Sequence, residues 1–171
     1  MFGTSVTQDR ILCMTTAHTP FHTMHGSRLP SVRQLSVFLD NRVGQLLRLT
    51  RLFEDKDIRI LGLCVDDSVD YAVVRLIFDY PDEAITILRS AGFVVSVSEI
   101  LTVSLPKGKN GLLAVWKCLL SCELNIGYCY PLLGSMLGPI IALSVEDMRI
   151  ASDILIRHKF DVLGEEDLRN V

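Results

Sequence analysis

Between Arg33 and Leu168 one pattern of apolar residues is written twice, about sixty-six residues apart. Leu35, Val37 and Leu39 are answered by Leu101, Val103 and Leu105. Leu46, Leu49 and Phe53 return as Leu112, Val115 and Leu119, and Ile58 and Ile60 as Leu124 and Ile126. Past the next hairpin the spacing becomes sixty-seven: Ala84, Leu88 and Phe93 recur as Ala151, Leu155 and Phe160. A unit this long exceeds a solenoid repeat and suits a small α+β domain. Two such domains in one chain create an internal interface, and small ligands favour interfaces.

Within each copy the period alternates between two and 3.6, the marks of strand and helix. Arg33–Leu39 alternates apart from Phe38, so it reads as a strand with one buried face. The loop Asp40-Asn41-Arg42-Val43-Gly44 leads into a helix predicted over Gln45–Lys56, with Leu46, Leu49, Leu52 and Phe53 at helical spacing. Ile58–Val65 and Tyr71–Asp79 read as a strand pair across the turn Asp66-Asp67-Ser68. Pro81 opens a helix to about Ser90, with Asp82 and Glu83 at its positive end. Ala91-Gly92 stops it, and Phe93–Val97 is a fourth strand.

The second copy repeats this order: a strand to Leu105, a helix over Gly111–Cys122, and strands over Leu124–Tyr130 and Ile140–Leu143. A helix capped by Ser144 and a strand over Phe160–Leu163 complete it. The order β-α-β-β-α-β predicts two ferredoxin-like α+β domains in tandem, each an antiparallel sheet with helices on one face. The expected domains are 33–99 and 100–171, after a flexible tail over 1–32. With no Pro or Gly between Phe93 and Leu105, the copies are expected to pack together rather than swing on a linker.

Net charge is −3 and no basic stripe is interleaved with aromatics, which argues against nucleic acid as a partner. No apolar run approaches the roughly 20 residues that span a bilayer, so no membrane association is expected. Five cysteines, an odd number without CxxC spacing, sit mostly in apolar segments and point to a reduced, cytoplasmic protein. The tail's His18, His22 and His25 lack Cys or acidic company, and no metal is assigned to them. Asp66, Asp67 and Asp70 lack the EF-hand spacing and read as a solvated turn. Cys118 and Cys122, one turn apart, read as core packing, and Trp116 beside them as a plug at a domain or subunit interface. No nucleophile, base and orienting group share a credible location, so no catalytic residue is assigned and no cofactor is implied.

Strand QLSVFLDN, loop RVG, helix QLLRLTRLFEDKDIRI and strand LGLCVDD resemble the opening of an ACT domain. The second copy, LTVSLPKGKNGLLAVWKCLLSCELNIGYCY, is similar to the same pattern, and HKFDVLGEEDL resembles the C-terminal end of stand-alone tandem ACT proteins. The resemblance implies a non-catalytic domain pair that binds an amino acid or similar metabolite between paired domains. It often regulates an enzyme of amino-acid metabolism.

An amino-acid carboxylate suits the unpaired N–H groups of a helix N-terminus, approached through a glycine. Gly44 stands at such a turn, with Asp40 and Asn41 available for the ammonium and Arg42 for the carboxylate; Val43 completes the loop. In the second copy Lys109, Asn110 and Gly111 match it, Asn110 being the residue besides glycine that best tolerates positive φ. Leu63 and Cys64, and Tyr128 and Tyr130, would line a side-chain pocket if the family's geometry holds. The bland alternative is that Gly44 and Asn110 only make turns, Asp40 and Asn41 only cap a helix, and the tyrosines only pack. The expected function is an amino-acid sensor, forming a homodimer through exposed edge strands. The competing reading is a regulatory or assembly subunit of a biosynthetic enzyme such as acetolactate synthase.

Overall fold

The computed structural model describes residues 29–67, 71–134 and 138–170. The histidines of the tail, Cys13 and Asp70 lie outside the described residues. The first copy comprises β1 (Val32–Asp40), α1 (Gln45–Arg51), β2 (Ile60–Asp67), β3 (Tyr71–Phe78) and α2 (Pro81–Ser90). It ends in β4 (Val94–Ser104), which also opens the second copy. There follow α3 (Gly111–Leu120), β5 (Ile126–Pro131), β6 (Ile140–Val145), α4 (Met148–Arg157), β7 (Val162–Leu163) and α5 (Glu165–Arg169).

The predicted pair of α+β domains is present, but the strand between them is one strand rather than two. β4 pairs antiparallel with β1 from Val94 to Ile100, then with β6 from Leu101 to Ser104 and with β7 at Thr102 and Val103. The seven-stranded sheet runs β2-β3-β1-β4-β6-β5, with β7 beside β4. It curls back on itself: Gly62 bridges Leu132, and the Leu133 N–H donates to the Leu61 carbonyl at 2.7 Å. Unbroken alternation makes this possible. Leu101 and Val103 keep the parity of Val95 and Val97, so one face of β4 carries the helices of both copies.

Each copy has its own helix-on-sheet core. Leu35, Val37, Leu49, Val74, Leu76, Ala84 and Leu88 close the first, and Leu101, Val103, Val115, Leu119, Leu143, Ala151 and Leu155 the second. Even the departures repeat, since Leu46 and Leu112 are both exposed, at 39% and 42%. A third cluster lies on the opposite face of the curled sheet. There Val32, Leu61, Ile77 and Ile100 meet Tyr130, Ile140, Ala142 and Leu168 from the other half. Burying a side chain of this size is worth roughly 1.5–3 kcal/mol, so this seam is a main source of stability.

Several expectations need correction. Val32 belongs to β1 and is buried in the seam, not part of a tail. α1 ends at Arg51 instead of Lys56; beyond it Phe53, Glu54 and Lys56 donate three residues back, tightening the chain into turns. Ser144 does not cap α4, because β6 extends through Val145 and pairs Ser144 with Tyr128. The cap is Asp147, whose carboxylate accepts from the Ile150 N–H at 2.9 Å. Trp116 packs, half-buried, against the second copy's own core rather than at the seam between the copies. The helix α5 was not expected at all.

Candidate functional site

The first loop is the open end of the molecule. Asp40, opposite Tyr71, is the last residue of β1, and the Arg42 N–H donates back to its carbonyl at 2.8 Å. Gly44 follows with φ 90°, a left-handed conformation that a Cβ would strain, although nothing stands within 4 Å of where that Cβ would lie. Gly44 is also the N-cap of α1, and no side chain bonds to the cap, so the first-turn N–H groups are not covered in that way. Asp40, Asn41, Arg42, Val43 and Gly44 are all exposed. Asn41 ties the loop to the end of β2, donating to the Asp67 carboxylate at 2.9 Å. Beside the loop, Phe38, Tyr71 and Val94 present exposed apolar surface on the sheet face that the second copy leaves uncovered.

The second loop differs in shape. Asn110 has φ −104°, so it does not take the left-handed conformation expected of it; Gly108 does, with φ 105°. Gly111 is required for another reason. A Cβ there would lie 2.4 Å from the Pro106 carbonyl oxygen, so only glycine lets the loop close on α3. Lys109 and Asn110 are exposed, and Gly111 is buried. The first loop follows β1 beside the start of β4 and the second follows the end of β4, so about 33 Å of extended strand lies between them at about 3.3 Å per residue. One amino acid cannot touch both loops of the same chain.

Leu63 packs into the first core and Cys64 against the seam. Tyr128 and Tyr130 are also in the seam, where they converge on Gln34 of the other copy. Gln34 is 1% exposed. Its amide N–H donates to the Tyr128 hydroxyl at 2.8 Å and to Ser98 at 3.2 Å, and its carbonyl accepts from Tyr130 at 2.8 Å. Burial pushes the Tyr130 hydroxyl well above the ordinary phenol range, so it stays a donor. The Arg75 guanidinium lies 4.3 Å from the Tyr128 ring centre and reaches Asp66 at 3.2 Å. Asp66 and Asp67 are neighbours in β2 with side chains on opposite faces, so the bond of Asn41 and the contacts of Arg75, Tyr128 and Gln34 are joined through the β2 backbone.

The C-terminal helix locks the seam from outside. Arg33 forks between Glu165 at 2.7 Å and Asp82 at 2.6 Å. Arg169 donates to the Asp79 carbonyl at 3.2 Å, and Arg59 donates to the carbonyl of Arg169 at 2.9 Å. Leu168 is 1% exposed in the third cluster. Neither Gln34 nor α5 was marked from sequence. For α5 a signal existed: Gly164 followed three residues later by Asp167, whose carboxylate accepts from the Gly164 N–H at 2.8 Å. Gln34 offered only its parity, a polar residue on a strand whose second face was assumed to meet water.

The family model for the ACT domain pair matches residues 30–171. The chain belongs to that family. Among solved structures, this ACT pair is similar to protein BT0572 from Bacteroides thetaiotaomicron, at 26% identity over 82% of this chain and 97% of that one, with a TM-score of 0.75. It also shares its fold with the regulatory subunit of aspartate kinase from Thermus thermophilus, in ligand-free form. That likeness has 11% identity over 75% of this chain and 92% of that one, with a TM-score of 0.53. No curated protein matches the chain significantly. Membership supports a regulatory, ligand-binding role. Among the described residues no helix is long and apolar enough to cross a membrane, and no cluster of His, Cys, Asp and Glu is placed to hold a metal ion.

Proposed function

We propose that this ACT pair is a non-catalytic sensor of a free amino acid. The ligand's carboxylate is held by the N–H groups at the start of α1, with Arg42 assisting, and its ammonium by Asp40 and the Asn41–Asp67 pair. Its side chain lies toward Tyr71 and Phe38. The observation that carries this reading is Gly44: an exposed, left-handed glycine with open space around it, at the head of a helix that no side chain caps. Lys109, Asn110 and Gly111 would form a second, non-equivalent site at the far end of the molecule.

Binding at the first loop would act on Asn41 and Asp67, and through Asp66 and Arg75 on Tyr128 and Gln34. A ligand favouring one setting of that run would shift the population of seam packings. The output then passes to another protein, a second copy of this chain and an enzyme of amino-acid metabolism. The regulatory subunit of aspartate kinase among its structural neighbours supports that kind of output.

A melting screen against the twenty amino acids tests this. A ligand at about a hundred times its Kd adds about 2.7 kcal/mol, which moves the midpoint by roughly 5–10 °C for a chain of this size. One or a few amino acids should do so. Gly44→Val should remove the response while far-UV circular dichroism keeps its helical signal. No response to any amino acid, with an enzyme co-purifying, would favour the assembly-subunit reading instead.

A further inference from the structure

Beside the first loop lies an apolar platform that the second loop lacks. On the sheet face turned away from the helices, Tyr71 lies opposite Asp40, and Phe38 lies between Val73 and Val94. Phe38 is 46%, Tyr71 52% and Val94 68% exposed. At the spacings of the repeat, the second copy carries Ser104, Gly138 and Asp161 in their places. Both copies build the same sheet, so the fold does not demand two rings and a valine at these positions. Apolar side chains grouped in solvent without a structural need mark a binding surface.

Charge around the platform restricts what can cover it. Its neighbours on this face are Asp66 and Arg75, which hold each other at 3.2 Å, and Arg75 also lies over the Tyr128 ring. A charged side chain laid on Phe38 therefore finds no free countercharge there. Asp40, at the rim, makes no ion pair among the described residues and is the group assigned to the ligand's ammonium. Phe38 lies two residues down the strand, about 7 Å away, which suits the reach of an aromatic side chain from its ammonium. The platform is open, not a closed slot. A flat ring can lie against it and meet the rings of Phe38 and Tyr71 in offset or edge-to-face geometry, whereas a branched aliphatic chain touches it along one edge.

We propose that the amino acid sensed at the first loop is an aromatic one, its ring seated on Phe38 and Tyr71 beside Val94. The inference rests on the sensor reading and adds the class of side chain. The second loop, with Ser104, Gly138 and Asp161 beside it, does not select an aromatic ligand.

The melting screen ranks the twenty amino acids, and calorimetric titration of the full chain then measures affinities. The largest rise in midpoint should come from phenylalanine, tyrosine or tryptophan, with an affinity at least about tenfold above that of leucine. Aspartate and lysine should give no rise. Phe38→Ser and Val94→Asp each place the second copy's residue on the platform. Each should weaken the aromatic ligand at least about tenfold with far-UV circular dichroism unchanged, whereas Tyr71→Phe keeps the ring and should retain binding. Val94→Asp, at the more exposed position, keeps the test decisive if Phe38→Ser fails to fold. A non-aromatic amino acid that binds most tightly, and loses its effect in Gly44→Val, overturns the aromatic class and leaves the sensor reading standing. Aromatic binding that neither Phe38→Ser nor Val94→Asp weakens overturns the seat. A chain that responds to none of the twenty overturns both readings together.

Discussion

Lys159 and Gly92 occupy the same place in the two copies, one residue beyond the C-cap of the second helix. Both are left-handed, with φ 63° and 85°. In each copy the following phenylalanine donates to a carbonyl five residues back, Phe93 to Leu88 and Phe160 to Leu155. The first copy uses the residue that takes this conformation freely, whereas the second uses one that is strained by it. Lys159→Gly should therefore stabilise the protein by about 0.5–1 kcal/mol in urea unfolding, the greater freedom of glycine in the unfolded chain offsetting only part of the relief. Ser152 is a second such imperfection, a fully buried hydroxyl with no hydrogen-bond partner among the described residues. Ser152→Ala should raise stability by about 1 kcal/mol, since it removes an unsatisfied polar group and adds a better helix former. Gln34 is the reverse case. Tyr130→Phe strips its carbonyl of a buried donor and should cost about 1–3 kcal/mol by the same measurement.

The smallest helix does much to hold the seam together. α5 buries one leucine, yet Glu165 at its start pairs with Arg33 of β1, which also reaches Asp82 of α2, and Arg169 at its end binds Asp79, the residue after β3. Leu168→Ala should cost about 2–5 kcal/mol, as for a leucine removed from a closed core. The Glu165 carboxyl is pushed up by burial, but hydrogen bonds and charge from Arg33 outweigh this and hold it below the usual range. The hydrogen bond and charge of Arg33 also lower Asp82. A carboxylate depressed on folding contributes stability that is complete above its unfolded value, near pH 4–4.5, and is lost as pH falls through the folded value. Acidification below about pH 4.5 should therefore loosen α5. Glu165→Gln should show a shallower loss of stability over that interval in pH-dependent urea titrations, because its amide does not titrate.

The shared strand makes the two copies a single cooperative body. A cut between Ile100 and Leu101 would leave each half its own strand pairings, but it would bare Val32, Ile77 and Ile100 on one side and Tyr130, Ile140 and Ala142 on the other. Calorimetry should show one unfolding transition rather than two, with calorimetric and van't Hoff enthalpies in agreement. The arrangement also separates the two loops, so on the sensor reading a ligand at the first would report to the second copy through the seam and the shared strand. That geometry makes the Arg75–Tyr128–Gln34 run the natural place for coupling between the halves.

Element order, the two cores and the glycine turn at Gly44 were legible along the chain, because helix and strand periods and a left-handed turn are properties of neighbouring residues. Leu49 and Val115, or Ala84 and Ala151, are buried where the repeat said they would be. What pairs with what across the two copies is not a local property. The joining of two strands into β4, the gathering of Gln34, Tyr128 and Tyr130, and the anchoring of α5 depend on how far the sheet curls and which face it closes on. The pattern of residues shows that β1 has a second face; only the fold decides that Val32 and Gln34 on it meet the other half while Phe38 meets solvent.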